Sequence, residues 1–358
     1  MQLEDRFSDA GMALSPLLLL KNGDEVCFSV ERNTIKLEGP DETPRSQEFI
    51  AQEVAKEVQY SLQFLKADIP ISITCYVGGE RCTKQADLLK TLLAYNPSFA
   101  PLITPHLTCN FSVKNSEMYI RELHELGISH VLALSGDKLT FTDFKRELKE
   151  APELAALVRS VEQDLRRKNG WFTPTDISVA YSSFRSIKGK TEQERFIKKL
   201  RAGATSIKTQ PLTYLDHALV RRDVDFLRQY FPPEASHQIS LSVIYYQTLD
   251  MAKNIGKYGI KLDPEVLDLL NRAHELGLED GTSKSRVYSE GLHIAAKSIA
   301  GLIDSGLRSI NLMGVKKPQT YAKLLSLVPM YLRQNRPKIM EPRAQESEPR
   351  SWYRVAIG

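Results

Sequence analysis

Residues 116–137 read SEMYIRELHELGISHVLALSGD, and this stretch decides the fold class. Its first part, residues 116–126, carries apolar residues at helical spacing behind an Asn or Ser cap, which predicts an amphipathic helix. The apolar run at residues 130–134 then predicts a buried strand, and a polar turn that contains Asp137 follows it. A helix that leads into a buried strand is the unit from which parallel α/β sheets are built.

The same alternation of short β-rich runs and longer amphipathic segments continues over most of the chain. If the two alternatives for the first strand count as one, there are eight strands, each followed by a helix. Eight such units close a (β/α)8 barrel, so we predict a single-domain TIM barrel of the α/β class. The candidate strands are residues 26–30 or 34–38, 71–75, 102–108, 130–134, 177–181, 206–210, 239–245 and 309–313.

Two of the predicted helices have clear sequence signals. Residues 46–65 repeat apolar side chains at helical spacing. Residues 191–200 begin with Thr191, and Glu194 follows three positions later, which is the arrangement of a capping box. We therefore expect this second helix to begin at Thr191.

The remaining segments define the extent of the domain. The charged stretch 140–175 predicts one or two helices, and Gly170 ends them. Residues 335–358 are rich in Pro, Glu, Arg and Ser, which is typical of a flexible tail. We predict a barrel with an N-terminal extension over residues 1–334 and a flexible C-terminal tail after it.

Charge and cysteine content argue against several classes of function. The 48 basic and 44 acidic residues give a net charge of +4, and because the basic residues are scattered, no nucleic-acid partner is expected. The four cysteines form no C-x-x-C pair and have no histidine at zinc-ligand spacing, so we expect no metal site and a reducing, cytoplasmic compartment. The apolar run at residues 17–20 is too short to span a bilayer, and no membrane association is expected.

Polar residues stand at the C-terminal ends of several predicted strands, where barrel enzymes collect their functional groups. Each has a structural alternative, because a polar residue at a strand end also forms turns or caps the next helix. A lone histidine in an apolar strand is often a satisfied core residue. Taken together, six such residues favour a ligand site at this end of the barrel: Thr74, His106, Thr108, Asp137, Tyr181 and Gln210.

Four strings of sequence resemble one known family in their order and spacing. These strings resemble the bacterial methylenetetrahydrofolate reductases. The resemblance runs from about residue 26 to residue 330 and is strongest between residues 70 and 216. The strings are TPHLTC at residues 104–109, GISHVLALSGD at 127–137, VAY at 179–181, and KLRAGA at 199–204 running to TQ at 209–210.

This resemblance implies a flavin enzyme. In the family, NADH or NADPH reduces FAD, and the flavin then passes hydride to 5,10-methylenetetrahydrofolate to give 5-methyltetrahydrofolate. It implies a small-molecule folate substrate and a homo-oligomer. By position, the residues that line the flavin are Thr74, His106, Tyr181, Lys199 and Glu192, with Lys199 facing the phosphates and Glu192 in place of a phosphate-facing aspartate.

The resemblance also implies residues that face the substrate. Asp137 stands where the family has an acidic residue beside the flavin and the folate pterin. Gln210 corresponds to a substrate-binding amide, and Lys317 stands near the expected position of the folate tail. The family also uses a glutamate on the first strand to protonate the folate nitrogen.

Two glutamates compete for that acid role. Glu31 follows Phe28-Ser-Val30 and resembles the family's Ser-Phe-Glu string. Glu38 precedes Gly39-Pro40 and stands at a better distance from the helix that begins near Ser46, so we favour Glu38 narrowly. Each also reads as an exposed glutamate on a hairpin, since residues 31–34 resemble a turn.

Two alternatives stand beside the flavin-dependent reductase. The first is a divergent family member with altered or absent flavin, which acts on folate or another carbon–nitrogen substrate. The second is a barrel that binds folate or a partner protein without turnover. A candidate acid together with Asp137 and Gln210 favours an enzyme over a binding protein.

Overall fold

A computed structural model describes residues 14–15, 17–20, 24–38, 43–75, 82–136, 146–170, 173–181, 189–209, 211, 217–231, 238–258 and 262–334. Within these residues one nine-stranded sheet carries eight parallel strands that close into a barrel, because the first of them also pairs with the last. Helices surround the strands. The chain is therefore a (β/α)8 barrel, as the sequence predicts.

The strands follow one another around the barrel in chain order. All eight barrel strands lie within two residues of a predicted position, the first of them at the alternative 26–30. Their bounds are β1 Leu17–Leu19, β2 Glu25–Arg32, β3 Ile71–Ile73, β4 Ile103–Thr108, β5 His130–Leu134, β6 Asp176–Tyr181, β7 Ser206–Thr209, β8 Ile239–Ile244 and β9 Ser309–Met313.

The helices connect these strands across the outside of the barrel. Their bounds are α1 Gln47–Leu65, α2 Gln85–Tyr95, α3 Val113–Glu125, α4 Ala151–Asn169, α5 Gly189–Arg201, α6 His217–Arg228, α7 Leu249–Asn254, α8 Pro264–Glu279, α9 Ser283–Asp304 and α10 Pro318–Gln334. Short 3-10 helices lie at Pro97–Leu102 and Ile255–Tyr258. The predicted tail, residues 335–358, lies outside the described residues.

The barrel closes where β2 pairs with β9. The ladder joins Cys27, Phe28, Ser29 and Val30 to the four residues from Ser309 to Leu312. The last residues of β2 pair with β3, from Val30 opposite Ile71 to Arg32 opposite Ile73. β1, which the sequence does not predict, pairs antiparallel with the first residues of β2.

The first barrel strand corresponds to the predicted segment 26–30, and the alternative at residues 34–38 is wrong. Beyond Arg32 the chain leaves the barrel, and residues 34–38 form isolated bridges, Lys36 with Cys82 and Glu38 with Pro44. The Thr34 N–H instead donates to Thr74 Oγ1 at 3.2 Å. These residues form single bridges and no continuous ladder, because the neighbouring strands have already ended.

Helix starts agree with the sequence in one case and differ in two. Ser46 caps α1, because its Oγ accepts a hydrogen bond from the Phe49 N–H. α3 begins at Val113 behind the Ser112 cap, three residues before the predicted start. α5 begins at Gly189, so Thr191 lies inside the helix and the predicted capping box is wrong. A cap needs the extended backbone that precedes a helix, which a residue within the first turn does not have.

Side chains along β2 alternate between the two faces of the sheet, so apolar residues lie on one face and polar residues on the other. Val26, Phe28 and Val30 are buried toward the helices, and the Phe28 ring meets Tyr321 of α10 edge-on at 6.4 Å. The intervening residues face the barrel interior, where Ser29 Oγ donates to Asn311 Oδ1 at 3.0 Å. The barrel interior is therefore polar on this side.

Arg32 joins three elements at the end of β2. Its guanidinium is buried, and Nε lies 2.6 Å from the Glu57 carboxylate of α1. Nη1 donates to the carbonyl oxygens of Val315 at 3.2 Å and Lys316 at 2.7 Å, just after β9. This network holds the turn after β9 against the first helix.

The described part of the chain contains no helix that is both long enough and apolar enough to cross a membrane. Its four cysteines are free thiols.

Gly291 lies where α9 packs closely against the backbone that follows β8. It lies in the middle of α9, and a Cβ atom there would overlap the carbonyl oxygen of Tyr246. We expect Gly291→Ala to lower the free energy of unfolding by about 1–3 kcal/mol, because the backbone must shift to relieve the overlap. Denaturant unfolding measures this change.

The matched control is Gly256→Ala, where nothing lies within 4 Å of the added Cβ. We expect its unfolding free energy to stay within about 0.5 kcal/mol of the wild-type value. Equal stability of the two variants would contradict the close packing of α9 on the barrel.

Candidate functional site

A cavity of about 960 Å³ opens at the C-terminal ends of the barrel strands. Its walls include residues from β2, β4, β6, β7, β8 and β9 and from the loops that follow them. This volume is typical of sites that enclose most of a small-molecule ligand. The cavity therefore lies at the end of the barrel where barrel enzymes collect their functional groups.

Three ionisable side chains meet at the floor of this cavity. Glu31, at the end of β2, is 13% exposed, and its Oε2 lies 4.0 Å from His106 Nε2 on β4. Lys208, on β7, is 9% exposed and also lines the cavity. A carboxyl, an imidazole and an amine therefore share one poorly solvated space.

Burial controls the protonation of all three groups. It raises the pKa of Glu31 to about 7, against the opposing attraction of Lys208. It lowers the pKa of Lys208 to about 8, and Glu31 opposes that shift. It also lowers the pKa of His106 to about 3, with a further contribution from the positive charge of Lys208. His106 is therefore a neutral imidazole, whereas Glu31 exchanges its proton near neutral pH.

A hydrogen-bonded group inside the barrel holds Lys208. Its Nζ donates to Asn311 Oδ1 at 3.3 Å. Ser29 Oγ donates to the same oxygen, and Asn311 Nδ2 donates to Ser242 Oγ at 3.3 Å. Because β2, β8 and β9 all contribute to it, this group fixes the amide that Lys208 contacts.

A second charged group lies on the wall formed by α5. Lys199 Nζ donates to the carbonyl oxygen of Ala180 at 2.6 Å and lies 3.7 Å from the Glu192 carboxylate. Arg195 Nη1 lies 3.6 Å from the same carboxylate. Burial lowers the pKa of Lys199 below its ordinary value, and the nearby Glu192 carboxylate offsets part of that shift. Two cations and one carboxylate thus give this wall a net positive charge.

Of the site residues predicted from the sequence, six line the cavity. One lies on β2, two lie on β4, two on α5, and one follows β3. The Oγ1 of this last residue, Thr74, accepts from the Thr34 N–H and donates to Asn33 Oδ1 at 3.4 Å. The six residues are Glu31, Thr74, His106, Thr108, Glu192 and Lys199.

Other predicted residues lie elsewhere. Tyr181 is fully buried against the Phe196 ring at 5.5 Å and is not among the cavity-lining residues. Glu38 bridges to Pro44 outside the cavity, so the structure places Glu31 and not Glu38 in this space. Lys317 is exposed, whereas its neighbour Lys316 lines the cavity.

Two of the predicted residues, Asp137 and Gln210, lie outside the described residues. The residues before them frame the cavity, since Ser135 and Gly136 on one side and Thr209 on the other belong to its lining. Their predicted roles stay predictions.

The sequence interpretation missed Lys208. A signal was present, because Lys208 stands two residues before the predicted site residue Gln210, and side chains two apart on a strand point to the same face. A lysine in that position of a barrel strand faces the interior.

Comparison with solved structures shows the same fold elsewhere. An uncharacterized protein from Clostridium thermocellum, which binds two copies of 5-methyl-5,6,7,8-tetrahydrofolic acid, aligns with a TM-score of 0.51 and 12% identity over 85% of this chain and 96% of that one. The 7,8-dihydropteroate synthase from Vibrio fischeri ES114 aligns with a TM-score of 0.42 and 10% identity over 89% and 99% of the two chains. No curated protein sequence matches the chain.

Comparison with protein families gives a direct assignment. The sequence matches the family described as methylenetetrahydrofolate reductase over residues 55–328. The matched segment runs from α1 to α10 and contains seven of the eight barrel strands. Because this match covers well over half of the chain, the protein belongs to the methylenetetrahydrofolate reductase family.

Proposed function

We propose that this protein reduces 5,10-methylenetetrahydrofolate to 5-methyltetrahydrofolate with NAD(P)H, and that FAD carries the hydride between them. The observation that supports this most directly is Glu31, a carboxyl group that lines the cavity with its pKa raised to about 7. Membership of the family and the folate bound by the Clostridium thermocellum protein support the choice of substrate.

Glu31 has the properties of the acid that this reaction needs. Breaking the bond between the one-carbon unit and a folate nitrogen requires a proton on that nitrogen. A carboxyl group with an ordinary pKa is ionised at neutral pH, whereas burial raises the pKa of Glu31 to about 7, so a substantial fraction of this group keeps its proton there. Glu31 also occupies the first barrel strand, where the family resemblance places the acid.

The cavity fits a flavin in size and in chemistry. Its volume lies within the range of cofactor sites. His106 Nε2 is buried and has no hydrogen-bond partner among the described residues, so a ligand group would satisfy it. Lys198, Lys199 and Arg195 on α5 supply positive charge for phosphates.

Bound there, a flavin would supply the acceptance and delivery of hydride, which no side chain provides. Thr74, His106 and Lys199 would hold it, as the family resemblance implies. Glu31 would donate its proton to the folate nitrogen. His106 lies 4.0 Å from Glu31, and a positive charge there would lower the pKa of the carboxyl group. Because the imidazole is neutral, it leaves the raised pKa of Glu31 in place.

Substitution of Glu31 tests the proposed acid. We expect Glu31→Gln to lower kcat for methylenetetrahydrofolate reduction by about 10²–10⁴-fold, because the amide cannot donate the proton. Stopped-flow oxidation of the reduced enzyme by the folate measures this step. Glu38→Gln, the change at the competing glutamate, should keep the wild-type rate. A large loss in Glu38→Gln with none in Glu31→Gln would overturn the assignment.

The pH profile provides an independent test. The raised pKa means that Glu31 carries its proton below about pH 7 and loses it as the pH rises, so kcat should fall on the alkaline side of that value. Lys208→Met removes the charge that lowers the pKa of Glu31, which should move this alkaline limb to higher pH. His106 titrates near pH 3 and does not contribute in this range. An alkaline limb that stays in place in Lys208→Met would contradict the coupling.

The flavin can be tested by absorbance. We expect the purified protein, or the protein incubated with FAD, to show the absorption bands of a bound oxidised flavin and to lose them when NADH or NADPH is added without oxygen. A colourless protein that still oxidises the nicotinamide when methylenetetrahydrofolate is added would show that the flavin assignment is wrong.

A further inference from the structure

We propose that Lys208 is a carbonyl-reactive amine, which forms an imine with a small anionic aldehyde or ketone in the barrel cavity. This activity goes beyond the reductase function and does not depend on it, since neither flavin nor folate takes part.

The position of Lys208 is the first argument. The side chain lies on β7 inside the barrel, nine-tenths buried, and lines the cavity floor. Its Nζ contacts a neutral acceptor, Asn311 Oδ1, at 3.3 Å. Because Ser29 and Ser242 hold Asn311 in turn, the amine is fixed at the bottom of an open space.

Its lack of a close carboxylate is the second argument. Lys198 Nζ lies 2.6 Å from Glu150, and Lys199 Nζ lies 3.7 Å from Glu192. By contrast, no carboxylate among the described residues lies within 4.0 Å of Lys208 Nζ. A buried lysine with a purely structural role is ordinarily paired, because an isolated buried charge is costly. Burial lowers the pKa of Lys208 to about 8, so a larger fraction of its amine is neutral at neutral pH than in an ordinary lysine, and the neutral amine has the lone pair that attacks a carbonyl carbon.

Glu31 supplies the acid and base that imine formation needs. The Lys208 nitrogen attacks the carbonyl carbon, the C=O π pair moves to oxygen, and that oxygen takes a proton from the Glu31 carboxyl group. The nitrogen then loses a proton to the Glu31 carboxylate. Protonation of the hydroxyl group by Glu31 releases water, and the C=N bond forms with no net oxidation or reduction.

The charge of the cavity determines the class of carbonyl compound. Its described lining contains five cationic side chains and three carboxylates, so it attracts an anion. The unpartnered His106 Nε2 is available to a polar group of the ligand. A carboxylate or a phosphate on the carbonyl compound would satisfy these charges, and a small compound fits the volume.

Reductive trapping tests the proposal with the full-length protein. Glyoxylate is the anionic aldehyde, and sodium cyanoborohydride reduces any imine to a stable carboxymethyl-lysine. Peptide mass mapping then measures the modification of each lysine. We expect Lys208 to be labelled at least tenfold faster than exposed lysines such as Lys253, because burial lowers the pKa of Lys208 and the cavity holds the aldehyde beside its amine.

The controls separate chemistry from folding. Lys208→Arg should lose this label, Glu31→Gln should label at least tenfold more slowly, and Lys253→Arg should label Lys208 at the wild-type rate.

Glycolaldehyde, a neutral aldehyde, should label Lys208 more slowly than glyoxylate, whereas glycolaldehyde phosphate should match glyoxylate if the site accepts phosphates. The ratio of Lys208 labelling to Lys253 labelling is measured within the wild-type protein, so it does not depend on whether any variant folds. If Lys208 reacts no faster than Lys253 in the folded protein, the proposal is overturned, whatever the outcome for folate reduction.

Discussion

The pairing of β2 with β9 is the constraint on which the candidate site depends. Eight strands form a cavity only if the sheet closes, and this ladder of four residues on each strand closes it. Glu31 lies one residue beyond that ladder, and Asn311 lies within it. Closure therefore brings the proposed acid and the amide that holds Lys208 to the same side of the barrel, although 280 residues separate them in the chain.

Burial of charge at the floor of the cavity is the cost of this arrangement. Glu31 and Lys208 are removed from water without a close ion pair, so their attraction offsets only part of the desolvation. Both pKa values move toward neutrality as a result. Arg32, the next residue after Glu31, shows the opposite solution, because a carboxylate and two carbonyl oxygens surround its charge. Adjacent residues on β2 thus face opposite sides of the sheet: Glu31 lines the cavity without a close ion pair, whereas Arg32 contacts three acceptor groups.

The sequence predicts the fold well because barrel strands are short apolar runs with clear boundaries. Its one ambiguous strand arises at residues 34–38, which have a β-rich composition but lie beyond the ends of the neighbouring strands and form only isolated bridges. Thr191 and Glu194 have the spacing of a capping box, yet the helix begins at Gly189. Local patterns do not reveal which edges are occupied or where the backbone first turns helical.

Position along a strand is enough to predict that some side chains line the cavity, whereas for others three-dimensional packing decides. Thr74 and His106 follow from the strand-end rule and line the cavity. Tyr181 also ends a strand, but its ring packs on Phe196 instead. Lys208 escapes notice because a lysine usually marks a solvent-facing position, and only a closed barrel makes that position internal.

Closure between the two ends of the barrel also affects synthesis of the protein. β2 leaves the ribosome early, but its partner β9 begins at Ser309. At about 5–20 residues per second, some 15–60 s pass before the ladder can form. During that interval β2 and the growing sheet present unpaired backbone groups at their edges, which is the surface that favours aggregation. β1 pairs with the first residues of β2 on the opposite edge, because Cys27 pairs with Leu17 of β1 and also with Ser309 of β9. The edge of β2 that receives β9 therefore stays unpaired until β9 has been made.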